Sequence, residues 1–227
     1  MSKLFVLLSL AYLVQDISGH GMMLVPPGRS SMWRFRYPIE ANYQDNQLFC
    51  GGAYVQNELN GGKCGVCGDS YTDAHPQENE NTGRYGKGIV THTYQPGEVI
   101  DVGVVLTANH LGTFTYSLCP IPDVNAPEPE SCFENLLLED GSASFTVTAE
   151  DKIVKNRVRL PNITCERCVL RWTYRCGNSV GECSDGQWRM GCGMQEHFRS
   201  CSDIAILPNK PADERPLPDF DVVARGI

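Results

Sequence analysis

After its first nineteen residues this chain of 227 has no apolar run approaching the ~20 positions that a membrane-spanning helix needs, which excludes a membrane anchor. Positive charge is also in short supply. Lys and Arg number 19 against 27 Asp and Glu, a formal charge of −8. No basic stripe is present to neutralise phosphates, so nucleic acid is not expected as a partner and a neutral or cationic polymer is the more natural one. Helical periodicity is scarce, and neither internal repeats nor low-complexity tracts occur, which weighs against a repetitive structural protein of eggshell type. No carboxylate pair stands out at recognisable positions, which weakens a hydrolase reading.

What is there begins with a leader. Lys3, an apolar stretch from Leu4 to Val14 broken only by Ser9, and a tail ending Ile17, Ser18, Gly19 together fit a secretory signal peptide over 1–19. Cleavage after Gly19 makes His20 the first residue of a secreted, extracellular product. The length that remains suits one domain, expected over 20–207, followed by a tail at 208–227 whose prolines and mixed charge read as a loose terminus. All eleven cysteines follow the leader. Export favours disulfides, and the odd count predicts five bridges with one thiol left over. The Asn162-Ile163-Thr164 sequon is a candidate glycosylation site.

Segments 88–94, 99–108, 113–118, 144–147, 156–160 and 168–174 are short, rich in Val, Thr and aromatics, and mostly bounded by turn residues. They predict an all-β fold, an antiparallel sandwich of the immunoglobulin or fibronectin III type with long disulfide-held loops. Residues 34–85 instead carry Gly-Gly pairs, Cys50, Cys64, Cys67 and His75 with little alternation, and read as a long ordered loop region.

A histidine made N-terminal by cleavage can chelate one metal through both its α-amine and its ring Nδ1. Nitrogen ligands in a plane favour copper among divalent ions, and three of them leave a coordination position open. The partner imidazole comes from His75, His92, His110 or His197, and spacing does not choose among them. His92 lies in an alternating strand-like stretch where a packed or sheet-surface role is the simpler reading. His75 reads as a solvated loop residue. His110 follows the run Leu106-Thr107-Ala108-Asn109, where a rigid sheet presents a side chain into an end loop.

Four segments in order carry a family resemblance: His20-Gly21, Pro26-Pro27-Gly28-Arg29, Thr107-Ala108-Asn109-His110, and the run Gln195 to Ala205 that includes Glu196, His197 and Phe198. With Cys50-Gly51-Gly52 and Gly61-Gly62-Lys63-Cys64-Gly65-Val66-Cys67-Gly68-Asp69, the chain resembles the lytic polysaccharide monooxygenases, specifically the arthropod-type branch called auxiliary activity family fifteen.

That resemblance implies one copper ion, cycling between Cu(II) and Cu(I), held by His20 and His110. It implies that Phe198 sits at the axial position, where a phenyl ring supplies no ligand atom. Ala108 matches a small residue near that face. Glu196 matches a polar group that hydrogen-bonds at the site, and His197 points away. The implied activity is oxidative cleavage of insoluble β-1,4-linked polysaccharide, chitin first and cellulose second, with C1 oxidation, using hydrogen peroxide or dioxygen and a small-molecule or protein electron donor. The expected state is a monomer bound neither to membrane nor to nucleic acid. The alternative is a non-catalytic chitin-binding protein on the same fold. A zinc site on Cys64, Cys67, Cys165 and Cys168 ranks below disulfides in an exported chain. Trp33, Tyr37, Tyr43 and Tyr54 are candidates for stacking on sugar rings.

Overall fold

The computed structural model describes residues 20–211 and 214–225, so the leader expected at 1–19 lies outside the described residues. In chain order the strands are β1 (His20–Val25), β2 (Thr93–Tyr94), β3 (Val99–Ala108), β4 (Gly112–Pro120), β5 (Glu134–Leu136), β6 (Phe145–Val147), β7 (Ile153–Arg159), β8 (Cys165–Arg175), β9 (Val180–Glu182), β10 (Trp188–Met190) and β11 (His197–Ile206). One sheet has the order β1-β3-β7; the other runs β2-β11-β8-β4-β5, with β6 also on β4; β9 and β10 form a separate hairpin. All pairings are antiparallel except the short β2–β11 contact, which is parallel. This is the expected sandwich.

Alternation builds the core. Met23 of β1, Val102, Val104 and Leu106 of β3 and Val154 and Val158 of β7 face inward. They meet Phe114, Tyr116, Leu170, Trp172, Tyr174, Phe198 and Ile204 from the second sheet. The aromatic members interlock: Phe114 stands edge-on to Trp172 and Tyr174 with ring centroids 5.2 and 5.0 Å away.

The outer face of β1 and β3 buries Met22, Leu24 and Val105 under Phe220 and Ala224. That corrects the expectation of a loose tail. Asp219 caps the short helix α1 (Phe220–Ala224) by accepting from the Asp221 and Val222 N–H groups at 3.1 and 3.3 Å, and Phe220 docks on the sheet.

β11 lies in the middle of the larger sheet but was not among the expected strands. Its run Arg199-Ser200-Cys201-Ser202-Asp203 looks polar, yet residues 200–203 are all buried because loops cover its outer face. Ser202 donates to the Pro27 carbonyl at 2.8 Å, and Asp203 takes both Nε and Nη2 of Arg29 at 2.8 Å.

Five disulfides form, with Cys176 buried and free. Cys64 joins Cys50, Cys67 joins Cys201 on β11, and Cys165 joins Cys168. The zinc alternative thereby loses its four thiolates. The long loop region is tied to the sandwich, as three cysteines in it suggested.

Candidate metal centre

His20 opens β1, and its Cα lies opposite that of Ala108 at the end of β3. Close packing fixes that end of the strand. A Cβ on Gly21 would come within 2.8 Å of Leu106 and 3.1 Å of Trp172, so only glycine lets β1 lie this close to the core. The Gly21 N–H donates to the Asn46 carbonyl at 3.0 Å, and the Asn46 amide donates to Thr107 Oγ1 at 2.9 Å. The loop carrying Asn46 therefore clamps both strands beside His20.

Two residues beyond Ala108, the turn from β3 to β4 carries His110. Asn109 Oδ1 accepts from the Leu111 N–H at 2.7 Å, and its Nδ2 donates to the Thr148 and Asp151 carbonyls at 2.7 and 2.6 Å. Leu111 and Gly112 take positive φ of 54° and 94°, and a Cβ on Gly112 would come within 2.1 Å of the Arg175 carbonyl. The backbone of His110 is held on both sides: its N–H donates to the Tyr174 hydroxyl at 2.8 Å, and its carbonyl accepts from the Gly177 N–H at 2.9 Å. Its ring Nδ1 meets the Asn178 amide at 2.7 Å, while Nε2 is buried without a hydrogen-bond partner. Burial, and then the charge of nearby His20, hold the His110 ring below the usual histidine pKa, which favours the neutral form.

Phe198, on β11, is fully buried opposite Tyr174 of β8, its ring 5.9 Å from that of Tyr174 and 6.1 Å from that of Phe49. Glu196 is buried just before β11, and its backbone carbonyl accepts from the Cys176 N–H at 3.0 Å. A carboxylate oxygen of Glu196, the Cys176 thiol and a His110 ring nitrogen lie within 4.8 Å of one another. That trio is a poor ligand set by itself. Burial, reinforced by the Glu196 charge, pushes the Cys176 thiol well up, so it stays protonated and hydrogen-bonds Tyr174.

The arrangement thus gathers His20, Ala108, His110, Glu196 and Phe198 at one end of the sandwich, and the other histidines fall elsewhere. His75 pairs with Glu80 at 2.7 Å in the loop region, and His92 with Glu214 at 3.2 Å. His197 Nδ1 accepts from the Gln56 amide Nε2 at 2.6 Å, while Phe198 turns into the core. Three neighbours of His110 escaped the sequence reading: Tyr174, Cys176 and Asn178. Tyr174 could have been found from strand alternation and Cys176 from the odd cysteine count. Nothing local marks Asn178.

Of the candidate aromatics, Tyr37 donates to the Thr91 carbonyl at 3.2 Å and lies beneath Arg215, a packing role. Trp33 stands edge-on to Tyr43 at 5.2 Å. Tyr43 and Tyr54 are 81% and 68% exposed. Trp188, on the β9–β10 hairpin, is 69% exposed and was overlooked. It shares a groove of about 510 Å³ with Tyr54, Asn57, Val180 and Met194. Two of its residues lie close in sequence to neighbours of His110: Met194 leads through Gln195 to Glu196, and Val180 follows two residues after Asn178. Gln195 braces this stretch, accepting from the Ser179 N–H and donating to the Ser179 carbonyl at 3.0 and 2.9 Å.

A donor set of this kind fits a small cation. Nε2 of His110 is a lone-pair site with no protein partner, on a ring biased to neutrality, close to a second histidine. The class defined by fold and site is an antiparallel sandwich that brings two histidines together at one end and carries a partly aromatic surface groove.

Comparison narrows that class. The sequence profile of the family described as "Lytic polysaccharide mono-oxygenase, cellulose-degrading" matches residues 20–204. The chain is also similar to the solved lytic polysaccharide monooxygenase AA15 from Thermobia domestica in the Cu(I) state, with 45% identity and a TM-score of 0.81 over 84% of this chain and 100% of that one. The chain belongs to the lytic polysaccharide monooxygenases, in the AA15 branch. More distant are a chitin binding domain from Burkholderia pseudomallei, at 14% identity and TM-score 0.48 over 84% of this chain and all of that one, and an AA10 lytic polysaccharide monooxygenase from Streptomyces lividans, at 13% and 0.47 over 82% and all. Comparison with curated proteins returned no match. Membership makes the protein an oxidoreductase acting on polysaccharide with electrons from a reductant. No helix among the described residues is long and apolar enough to cross a membrane.

Proposed function

We propose that the chain is a secreted, monomeric, copper-dependent monooxygenase that cleaves chitin by oxidation at C1, with cellulose the second candidate substrate. In this reading residues 1–19 are removed, 20–207 form the catalytic domain and 208–227 a terminal segment docked on it. His20 binds one copper ion through its new α-amine and Nδ1, and His110 binds it through Nε2. The observation that carries the reading is the buried, unpartnered His110 Nε2 beside His20.

Bound copper supplies one-electron redox chemistry that activates hydrogen peroxide or dioxygen. The protein supplies the setting. Asn109, Tyr174 and Gly177 fix the turn that aims His110. Phe198 sets a buried ring that offers no ligand atom behind the site, and would keep water from that side of a bound metal. Ala108 leaves room beside His20. Glu196, with a carboxylate oxygen within 4.8 Å of a His110 ring nitrogen, would hydrogen-bond a ligand bound between them. Tyr43, Tyr54 and Trp188 offer apolar ring faces to sugars. With peroxide the stoichiometry balances as one C1–H bond converted to C1–OH with release of one water. The hydroxylated link then expels the neighbouring sugar, leaving a lactone that hydrates to an aldonic acid.

The test is mass spectrometry of soluble products from β-chitin with reductant and copper-loaded protein beginning at His20, beside a variant with one extra residue before it. Aldonic acid masses that vanish in the extended variant are the expected result. Chitin binding without any oxidised product, repeated on cellulose with the same outcome, would overturn the enzyme reading and leave a binding protein.

A further inference from the structure

The contact between Asn178 and His110 bears on which ring nitrogen is free for a metal. We infer that Asn178 is a positioning residue: its side-chain carbonyl accepts Nδ1–H of His110 and so leaves Nε2 as the bare, metal-facing nitrogen. The inference rests on the copper reading above.

Three observations support it. The Asn178 atom placed 2.7 Å from Nδ1 is the amide nitrogen Nδ2, and turning the amide over sets Oδ1 in the same place, where it accepts Nδ1–H. The opposite nitrogen, Nε2, is buried with no partner. If Nε2 carried the proton, a buried N–H would go unsatisfied; with the proton on Nδ1, both nitrogens have a use, one as donor to Asn178 Oδ1 and one as ligand. An exposed asparagine amide can turn either way, so facing Oδ1 to the ring costs no buried contact.

The third observation is that the segment carrying Asn178 is built to hold still. Tyr174, Cys176 and Gly177, which lead into it, are pinned: the Cys176 N–H donates to the Glu196 carbonyl at 3.0 Å, the Gly177 N–H to the His110 carbonyl at 2.9 Å, and the Tyr174 hydroxyl accepts the His110 N–H at 2.8 Å. On the far side Ser179 exchanges two hydrogen bonds with Gln195. Gly177 thus ties the chain before Asn178 to the backbone of the very histidine that Asn178 contacts. Ring and amide are fixed to one another through main chain on a short path, which is what setting a tautomer requires.

Such outer contacts change metal affinity by ten- to a hundredfold when removed. Copper-loaded protein beginning at His20 is compared with Asn178→Ala and Asn178→Asp. Calorimetric titration with Cu(II) should show affinity on the order of tenfold weaker in Asn178→Ala and restored or strengthened in Asn178→Asp, whose carboxylate accepts the same proton more strongly. In the diamagnetic Cu(I) form, long-range proton–nitrogen correlation should find a slowly exchanging Nδ1–H on His110 in the wild type and in Asn178→Asp, but a fast-exchanging one in Asn178→Ala. Melting of the metal-free proteins should coincide, since the Asn178 side chain is exposed. A His110 ring ligating through Nδ1, or an Asn178→Ala variant with copper affinity within twofold of wild type and an unchanged Nδ1–H, would overturn the inference. Failure of wild-type protein to bind copper would instead sink the reading on which it rests, so the two failures are distinct.

Discussion

The buried cluster around Arg29 and the one around His110 differ in whether the central side chain has all its partners. Arg29 is buried with its Nε and Nη2 on Asp203 at 2.8 Å, and its Nη1 on Glu128 at 2.6 Å and on the Asn79 carbonyl at 3.0 Å. Glu128 in turn accepts the Asn81 N–H at 2.7 Å. Burial works against the guanidinium charge, but the two carboxylates more than offset it and its pKa rises. At the other cluster the backbone N–H and carbonyl of His110 are both held while ring Nε2 is left without a partner. A buried cluster that only stabilises uses all its donors and acceptors; one that awaits a ligand keeps one in reserve.

Breaking the closed cluster should have the largest effect. Arg29→Met leaves two carboxylates buried without their cation and should cost about 3–5 kcal/mol in denaturant unfolding. A loss under ~1 kcal/mol would mean that solvent reaches the cluster. At the open cluster the expectation reverses. His110→Ala should leave metal-free stability nearly unchanged yet abolish the stabilisation by copper, which for wild type beginning at His20 amounts to about 4 kcal/mol at a thousandfold excess over Kd. Differential scanning with and without Cu(II) reads both.

A smaller effect separates His110 from its decoy, His197. Burial, then the charges of Arg199 and Arg175, push the His197 ring down to about 4, consistent with a neutral ring beside the Gln56 amide. Below pH 6.5 the unfolded chain takes up a proton that the folded ring refuses until about 4, so stability falls with acidification across that window. The loss is on the order of 2 kcal/mol once partial exposure is allowed for. His197→Gln should flatten that part of the pH profile, and an unchanged slope would mean the ring titrates normally. The smallest test involves no energy. With five disulfides and a buried Cys176, one thiol per chain should react with a chromogenic reagent in guanidinium and none in the native protein. A native count of one would place Cys176 at the surface.

Much of the architecture could be read from composition and alternation. The strand expected at 99–108 coincides with β3, because Val99–Ala108 carries a β-branched series with its turn residues at the ends. The stretch expected at 88–94 shrinks to β2, as only Thr93 and Tyr94 pair with β11. β1 and β11 were not visible as strands. Both their faces are covered, so neither alternates cleanly, and β11 hides its polar residues in bonds to Arg29 and Pro27 that come from far along the chain. The tail was misread for a related reason: one phenylalanine, Phe220, finds an apolar patch on β1 and β3 that no local pattern announces.

The sequence by itself determined the all-β class and the cysteine-held loops, because alternation and cysteine count are local features; His20 and His110 were singled out together only by motifs that resemble a family, since spacing does not choose among the histidines. Only the tertiary structure decided how these are used. Two histidines ninety positions apart become neighbours because β1 pairs with β3 and the next turn brings His110 to the same end. Which thiol stays free, which aromatics stand in solvent and which amide meets the His110 ring are settled by contacts between segments distant in sequence, and a reading confined to local pattern has no access to them.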